Sequence, residues 1–247
     1  MNIIVINIAH RGGAGLAPEN TLTCFKIGSQ YADMIEFDIQ PSQDRHILVF
    51  HDRQGIERTS NGSGKINDLP YSYLRSLDVG SWFHPKFTDE RIPTLYDTIE
   101  TLTKISTTIQ FNIELKYLDS SDWFEKTILE VIDHFKIEER TFIAARYLEN
   151  ISRFQEINPK IQCILLQKER QWNDYLEIVN NLGLKTVQIR QTALKPEFFE
   201  KCQDQGIKVF YFYADTIPEM KKAIDLGVAG ILTNFPNRLR ELQEIIS

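Results

Sequence analysis

Cysteine is scarce in this chain, and its three copies, Cys24, Cys163 and Cys202, are scattered over 247 residues. An odd count with no C-x-x-C pair excludes a disulfide framework and a zinc ribbon. Free thiols point instead to a reducing compartment. Positive charge is not in excess either: Lys plus Arg total 28 against 34 Asp plus Glu, a net charge of −6. The overall field therefore does not draw in a nucleic-acid backbone or an anionic membrane. Any phosphate this protein handles must be gripped locally, by a few cations or a metal. Long hydrophobic runs are missing too, and nothing approaches the ~18 apolar residues of a membrane span. The apolar start at residues 3–9 is short and has no basic region before it, unlike a signal peptide. Cytoplasm is the expected location, with neither nucleic acid nor stable membrane insertion.

What is present is an ordinary globular composition, 42% hydrophobic and 25% charged. The length suits one large unit spanning 1–247. Short β-branched or aromatic runs predict strands at 3–9, 34–40, 109–116, 141–145, 161–166, 186–189, 208–213 and 230–233. Helical spacing predicts helices at 21–31, 94–105, 122–135, 172–182, 196–205 and 217–226. Gly183, Gly206 and Gly227 each sit where such a helix should stop. Eight strands alternating with helices predict an α/β fold, a parallel (β/α)8 TIM barrel. An open doubly wound sheet is the alternative, but no Gly-x-Gly-x-x-Gly turn follows the first strand. One stretch breaks the rhythm. An insertion from Pro41 to Pro93 follows the second strand, with a short strand at 47–50, a glycine-rich turn at 61–64 and a helix near 71–77. A long segment at the C-terminal side of a barrel strand suits a lid or recognition element.

Barrel chemistry gathers at the C-terminal strand ends. The first strand ends in Ala9-His10-Arg11-Gly12-Gly13, the second carries Glu36 and Asp38, and the third carries Glu114 and Lys116. Side chains alternate along a strand, so Glu36 and Asp38 share one face, as do Glu114 and Lys116. Their apolar partners Ile35, Phe37, Ile113 and Leu115 then meet the helix layer. On an exposed sheet edge these would be solvated charges; inside a parallel barrel they need partners. Three carboxylates from neighbouring strands make a hard oxygen site for a divalent cation, Mg²⁺ or Ca²⁺ rather than zinc. His10 and His51 lie at strand ends, where imidazole can give or take a proton near neutral pH, although a lone histidine is often structural. His46, His84 and His134 read as surface residues. Arg11 can fork onto phosphate oxygens and Lys116 can supply a point charge, or either can neutralise the carboxylates. Asn20 is placed to N-cap the first helix.

These motifs come in an order that resembles the glycerophosphodiester phosphodiesterase family. The resemblance rests on Ala9-His10-Arg11-Gly12-Gly13, Ala17-Pro18-Glu19-Asn20-Thr21, Ile35-Glu36-Phe37-Asp38, His51-Asp52, Glu57-Arg58-Thr59-Ser60-Asn61-Gly62 and Ile92-Pro93-Thr94-Leu95. Gly80-Ser81-Trp82 makes the cytosolic bacterial type the nearest match. The resemblance is dense from Ile8 to Lys116 and weaker beyond. It implies a barrel with a small insertion after the second strand. It also implies hydrolysis of small-molecule glycerophosphodiesters, such as deacylated phospholipids, to sn-glycerol 3-phosphate and an alcohol. By motif position, Glu36, Asp38 and Glu114 become ligands of Mg²⁺ or Ca²⁺, His10 and His51 the general base and acid, and Arg11 a phosphate ligand with Lys116 nearby.

The chain departs from that pattern in three places. Trp-Thr-Val-Asn near the seventh strand becomes Phe212-Tyr213-Ala214-Asp215. Gly-Val-Asp-Gly…Thr-Asp becomes Gly227-Val228-Ala229-Gly230 and Thr233-Asn234, and Ala145-Arg146-Tyr147 stands where Ser-Phe is usual. The added aromatics raise a second reading, a lysophospholipase D or sphingomyelinase D-like barrel. That branch lacks the His-Asp motif kept here as His51-Asp52. A non-catalytic phosphoester-binding barrel is a third reading, opposed by retention of all five candidate acid–base and metal-ligating side chains.

Overall fold

The computed structural model describes residues 5–166, 172–190 and 195–246. The start of the first expected strand, Ile3 and Ile4, lies outside the described residues.

The eight barrel strands are β1 (Ile6–Ala9), β2 (Met34–Pro41), β4 (Gln110–Leu115), β5 (Thr141–Ala145), β6 (Gln162–Leu166), β7 (Thr186–Arg190), β8 (Lys208–Phe212) and β9 (Gly230–Thr233). All pair in parallel, and the ring closes because β1 bonds both β9 and β2, with Ile8 opposite Met34. β3 (Ile47–Val49) is the ninth strand and lies antiparallel on the far end of β2, Val49 opposite Ile39. The helices are α1 (Leu22–Gly28), α2 (Tyr71–Leu74), α3 (Leu95–Ile105), α4 (Trp123–Phe135), α5 (Leu148–Ile157), α6 (Trp172–Asn181), α7 (Pro196–Asp204), α8 (Ile217–Asp225) and α9 (Pro236–Ile246). None described is long and apolar enough to cross a membrane. Gly183, Gly206 and Gly227 take the left-handed backbone expected after α6, α7 and α8, with φ of 65°, 66° and 78°.

Strand alternation divides the core in two. Ile35, Phe37, Phe111, Ile113, Val187 and Ile231 point outward, under the helices, in the main cluster. Ile8, Met34, Phe142, Ile164, Phe210 and Leu232 point inward and fill the barrel at its N-terminal end. Above that plug Asn112 Nδ2 donates to Gln188 Oε1 at 2.9 Å. Stepping on by twos, the inward series reaches Asp38, Glu114, Arg146 and Arg190 at the C-terminal mouth. The insertion has its own small core of Leu48, Phe50, Ile56, Ile66, Leu74, Leu77, Val79 and Ile92. It is stitched to β2 by Phe50 N–H donating to the Asp38 carbonyl at 2.9 Å and by Gln40 Nε2 donating to the carbonyls of Phe50 and Asp52 at 3.0 Å. That stitching holds His51 at the mouth.

α1 packs unusually close to the loop after β1. A Cβ on Gly28 would stand 2.0 Å from the Gly12 carbonyl oxygen. Gly28→Ala is therefore expected to cost about 1–3 kcal/mol as overpacking. Thermal unfolding should register a drop of about 2–4 °C for each kcal/mol in a chain of this size. An unchanged midpoint would show that the contact relaxes freely.

Candidate active site

β1 ends in a tight turn at His10–Gly12, in which Arg11 adopts φ 50°, and Gly13 closes it with φ 99°. A left-handed arginine is costly, and such strain persists where surrounding contacts enforce it. The enforcing contact is Arg11 N–H donating to Glu36 Oε2 at 2.7 Å. The turn also swings the His10 ring inward, where its Nε2 lies 4.0 Å from Glu36 Oε2 and its Nδ1 lies 2.8 Å from Asn234 Oδ1. Phe212 meets the ring edge-on at 5.1 Å, and Tyr213 stacks at 6.1 Å. Burial, with the Arg11 charge beside it, pulls the His10 pKa down to about 3 against the pull of Asn234 and the carboxylates. His10 is therefore neutral at pH 7.

Glu36, Asp38 and Glu114 converge as the alternation predicts, because Asp38 and Glu114 are direct cross-strand partners on β2 and β4. One oxygen from each lies within 4.8 Å of the others. Burial together with the like charges of Asp38 and Glu114 raises the Glu36 pKa well above its usual value. Burial also opposes ionisation of Asp38, but Lys116, His51 and Arg11 outweigh it and hold that carboxyl below the usual range. Lys116 Nζ stands 2.9 Å from Asp38 Oδ1 and also bonds Glu114. Its pKa is raised by those two carboxylates despite burial. Lys116 thus acts here as their counter-ion. Glu36 Oε1 is buried with no hydrogen-bond partner among the described residues. An all-oxygen set with a buried acceptor left over fits a hard divalent cation.

Asn20 corrects a sequence expectation. It does not cap α1; Thr21 does, its hydroxyl accepting from Cys24 N–H at 3.2 Å. Asn20 takes φ 58° instead, which turns its side chain back so that Nδ2 donates to Asp38 Oδ2 at 2.9 Å. It orients one of the three clustered carboxylates, a role with no local sequence signal.

His51 Nδ1 lies 2.7 Å from Asp52 Oδ1, and Asp52 Oδ2 accepts from Arg58 Nε at 2.6 Å. Despite burial, those two partners lower the Asp52 pKa to about 2. Arg58 in turn forks onto both oxygens of Glu19, at 2.6 and 3.0 Å, and Glu19 accepts from Arg11 Nη1 at 2.8 Å. A chain of charges thus joins the insertion to the loop after β1, and Asp52, Arg58 and Glu19 are its three members given no role from sequence. His10, Arg11, His51, Glu114 and Lys116 all line a cavity of about 540 Å³, with Glu36 and Asp38 buried against it. His46, His84 and His134 are at the surface, as expected.

Comparison with known proteins places this arrangement. A glycerophosphodiester phosphodiesterase of Caldanaerobacter subterraneus subsp. tengcongensis is 32% identical over 243 residues, covering 95% of this chain and 96% of that protein. One from Bacillus altitudinis is 29% identical, with 96% and 97% covered. An Oleispira antarctica phosphodiesterase solved with the product sn-glycerol-3-phosphate superposes with a TM-score of 0.87 at 24% identity, covering 97% of this chain and 96% of that one. The glycerophosphoryl diester phosphodiesterase family profile matches residues 10–238, from the first mouth histidine into the last helix, and the chain belongs to that family.

Proposed function

We propose that this protein hydrolyses glycerophosphodiesters to sn-glycerol 3-phosphate and an alcohol, the whole chain acting as one barrel unit with its insertion closing one side of the mouth. The observation that carries the reading is the placement of two histidines from different elements on one cavity beside a three-carboxylate cluster. Glu36, Asp38 and Glu114 would hold a divalent cation, Mg²⁺ or Ca²⁺, which would draw charge from a phosphoryl oxygen. Arg11 grips the phosphate, and Lys116 offsets surplus charge near it. His10, kept neutral by burial, takes a proton from the attacking oxygen, water or the substrate's glycerol 2-hydroxyl. His51, oriented by Asp52, delivers a proton to the departing alkoxide. The three cysteines are buried and unpaired, in keeping with a reducing cytoplasm.

A glycerol 3-phosphate-coupled assay on glycerophosphocholine and glycerophosphoethanolamine, run beside a choline-release assay on glycerophosphocholine and lysophosphatidylcholine, tests this. Release of glycerol 3-phosphate from the deacylated diesters should stop on EDTA treatment and return with Mg²⁺ or Ca²⁺. Strong preference for the lysolipid would favour the phospholipase D reading, for which Phe212 and the exposed Tyr213 at the rim are the supporting feature. Release of neither glycerol 3-phosphate nor choline under any metal would sink both.

A further inference from the structure

Two loops that follow the last barrel strands meet behind His10. Asp215 lies three residues past β8, and Asn234 is the first residue past β9. Asp215 Oδ1 accepts from Thr233 Oγ1 at 3.1 Å and from Asn234 N–H at 2.8 Å, while Oδ2 accepts from Asn234 Nδ2 at 2.7 Å. Its own backbone is pinned, the N–H donating to Glu219 Oε2 at 3.1 Å and the carbonyl accepting from Arg238 Nη1 at 3.0 Å.

These contacts dictate which way Asn234 points. An ionised carboxylate only accepts, so the amide nitrogen must face Asp215 and the amide oxygen must face away from it. The oxygen then lies 2.8 Å from His10 Nδ1, and an oxygen acceptor there requires an N–H donor. A neutral imidazole with its proton on Nδ1 has its lone pair on Nε2, the nitrogen on the Glu36 side. We propose that Asp215 is a positioning residue for the reaction: acting through Asn234, it selects the His10 tautomer whose bare Nε2 faces the reacting atoms. The pair reverses the order of acid and amide in the family pattern, where Asn stands in place of Asp215 and Asp in place of Asn234. The inference rests on His10 being the general base.

The test is a set of variants, Asp215→Asn, Asn234→Asp, the double exchange, and His10→Ala. In Asp215→Asn one carboxamide must face another's donor. Asn234 turns over, its nitrogen meets His10 Nδ1, and the proton moves to Nε2. The expected result is a fall in kcat of about 10- to 10³-fold with KM changed by less than about threefold, a tautomer rather than a binding defect. Asn234→Asp alone sets two carboxylates against each other and should also lose kcat. The double exchange restores acceptor-to-donor order throughout and should recover to within about fivefold of the parent. Histidine-selective ¹⁵N NMR reads the tautomer directly on folded protein: Nδ1-protonated His10 in the parent and the double variant, Nε2-protonated in Asp215→Asn. Unchanged kcat and an unchanged His10 spectrum in Asp215→Asn would overturn the relay, even if His10→Ala is inactive. An active His10→Ala would instead remove the base assignment on which the relay depends.

Discussion

His51→Ala is expected to lower kcat by about 10²–10⁴-fold, the usual worth of a positioned acid or base. The ring is partly exposed, with 29% of its side chain accessible, so its removal leaves no large cavity and the fold should be little affected. The loss should therefore appear in kcat at an unchanged unfolding midpoint. His10→Ala should lose as much, but with a lower midpoint, because that ring is buried against Phe212 and bonded to Asn234. Leaving-group chemistry separates the two roles. If His51 protonates the departing alkoxide, a glycerophosphodiester with an acidic phenol as leaving group needs no acid, so His51→Ala should recover most of its rate. His10→Ala should not. Equal loss on both substrates would end the assignment of His51 as the acid.

Glu36→Gln is expected to abolish metal-dependent activity and yet make the metal-free protein more stable. Three carboxylates crowd one site, and burial plus the charges of Asp38 and Glu114 already raise the Glu36 pKa. A carboxyl whose folded pKa lies above its unfolded value adds stability below the unfolded pKa, about 4.5, and loses it as pH rises through the folded pKa. The midpoint difference between Glu36→Gln and the parent, both without metal, should be small near pH 4 and grow toward neutrality. It should amount to about 2–4 °C for each kcal/mol of repulsion relieved. Saturating Mg²⁺ or Ca²⁺ reverses the order. At 100 times its Kd a ligand adds about 2.7 kcal/mol to the protein that binds it, and the variant should gain little. Thermal melts over pH, with EDTA or metal, check both halves. A parent that melts higher than the variant without metal at pH 7 would show that the carboxylates do not repel.

Much of this site is legible in one dimension because strand alternation is a local rule. Glu36 with Asp38, and Glu114 with Lys116, share an inward face whatever the rest of the chain does, and Ile35, Phe37, Ile113 and Leu115 must then meet the helices. The helices with broad apolar stripes, such as α3 and α4, could be read the same way. α5 and α9, absent from the helices that spacing predicts, each bury only a narrow stripe, chiefly Ile151 and Phe154 in one and Leu239 and Leu242 in the other. Asn20 departs from expectation because Asn before Thr-Leu is a good cap by type, whereas its left-handed backbone, which aims it at Asp38, follows from how the loop after β1 is folded.

The order of residues alone determined the strand–helix alternation, the inward placement of the three carboxylates, and the presence of histidines at strand ends. Only barrel closure decided that β1 lies between β9 and β2, and hence that Asn234 and Asp215, more than 200 positions along the chain, stand behind His10. Folding of the insertion likewise decided that Arg58 reaches Glu19 and that His51 shares a cavity with His10. The physical reason is range. Side-chain alternation and helix periodicity act over a few residues, whereas loop-to-loop pairing depends on where the whole ring of strands brings their ends.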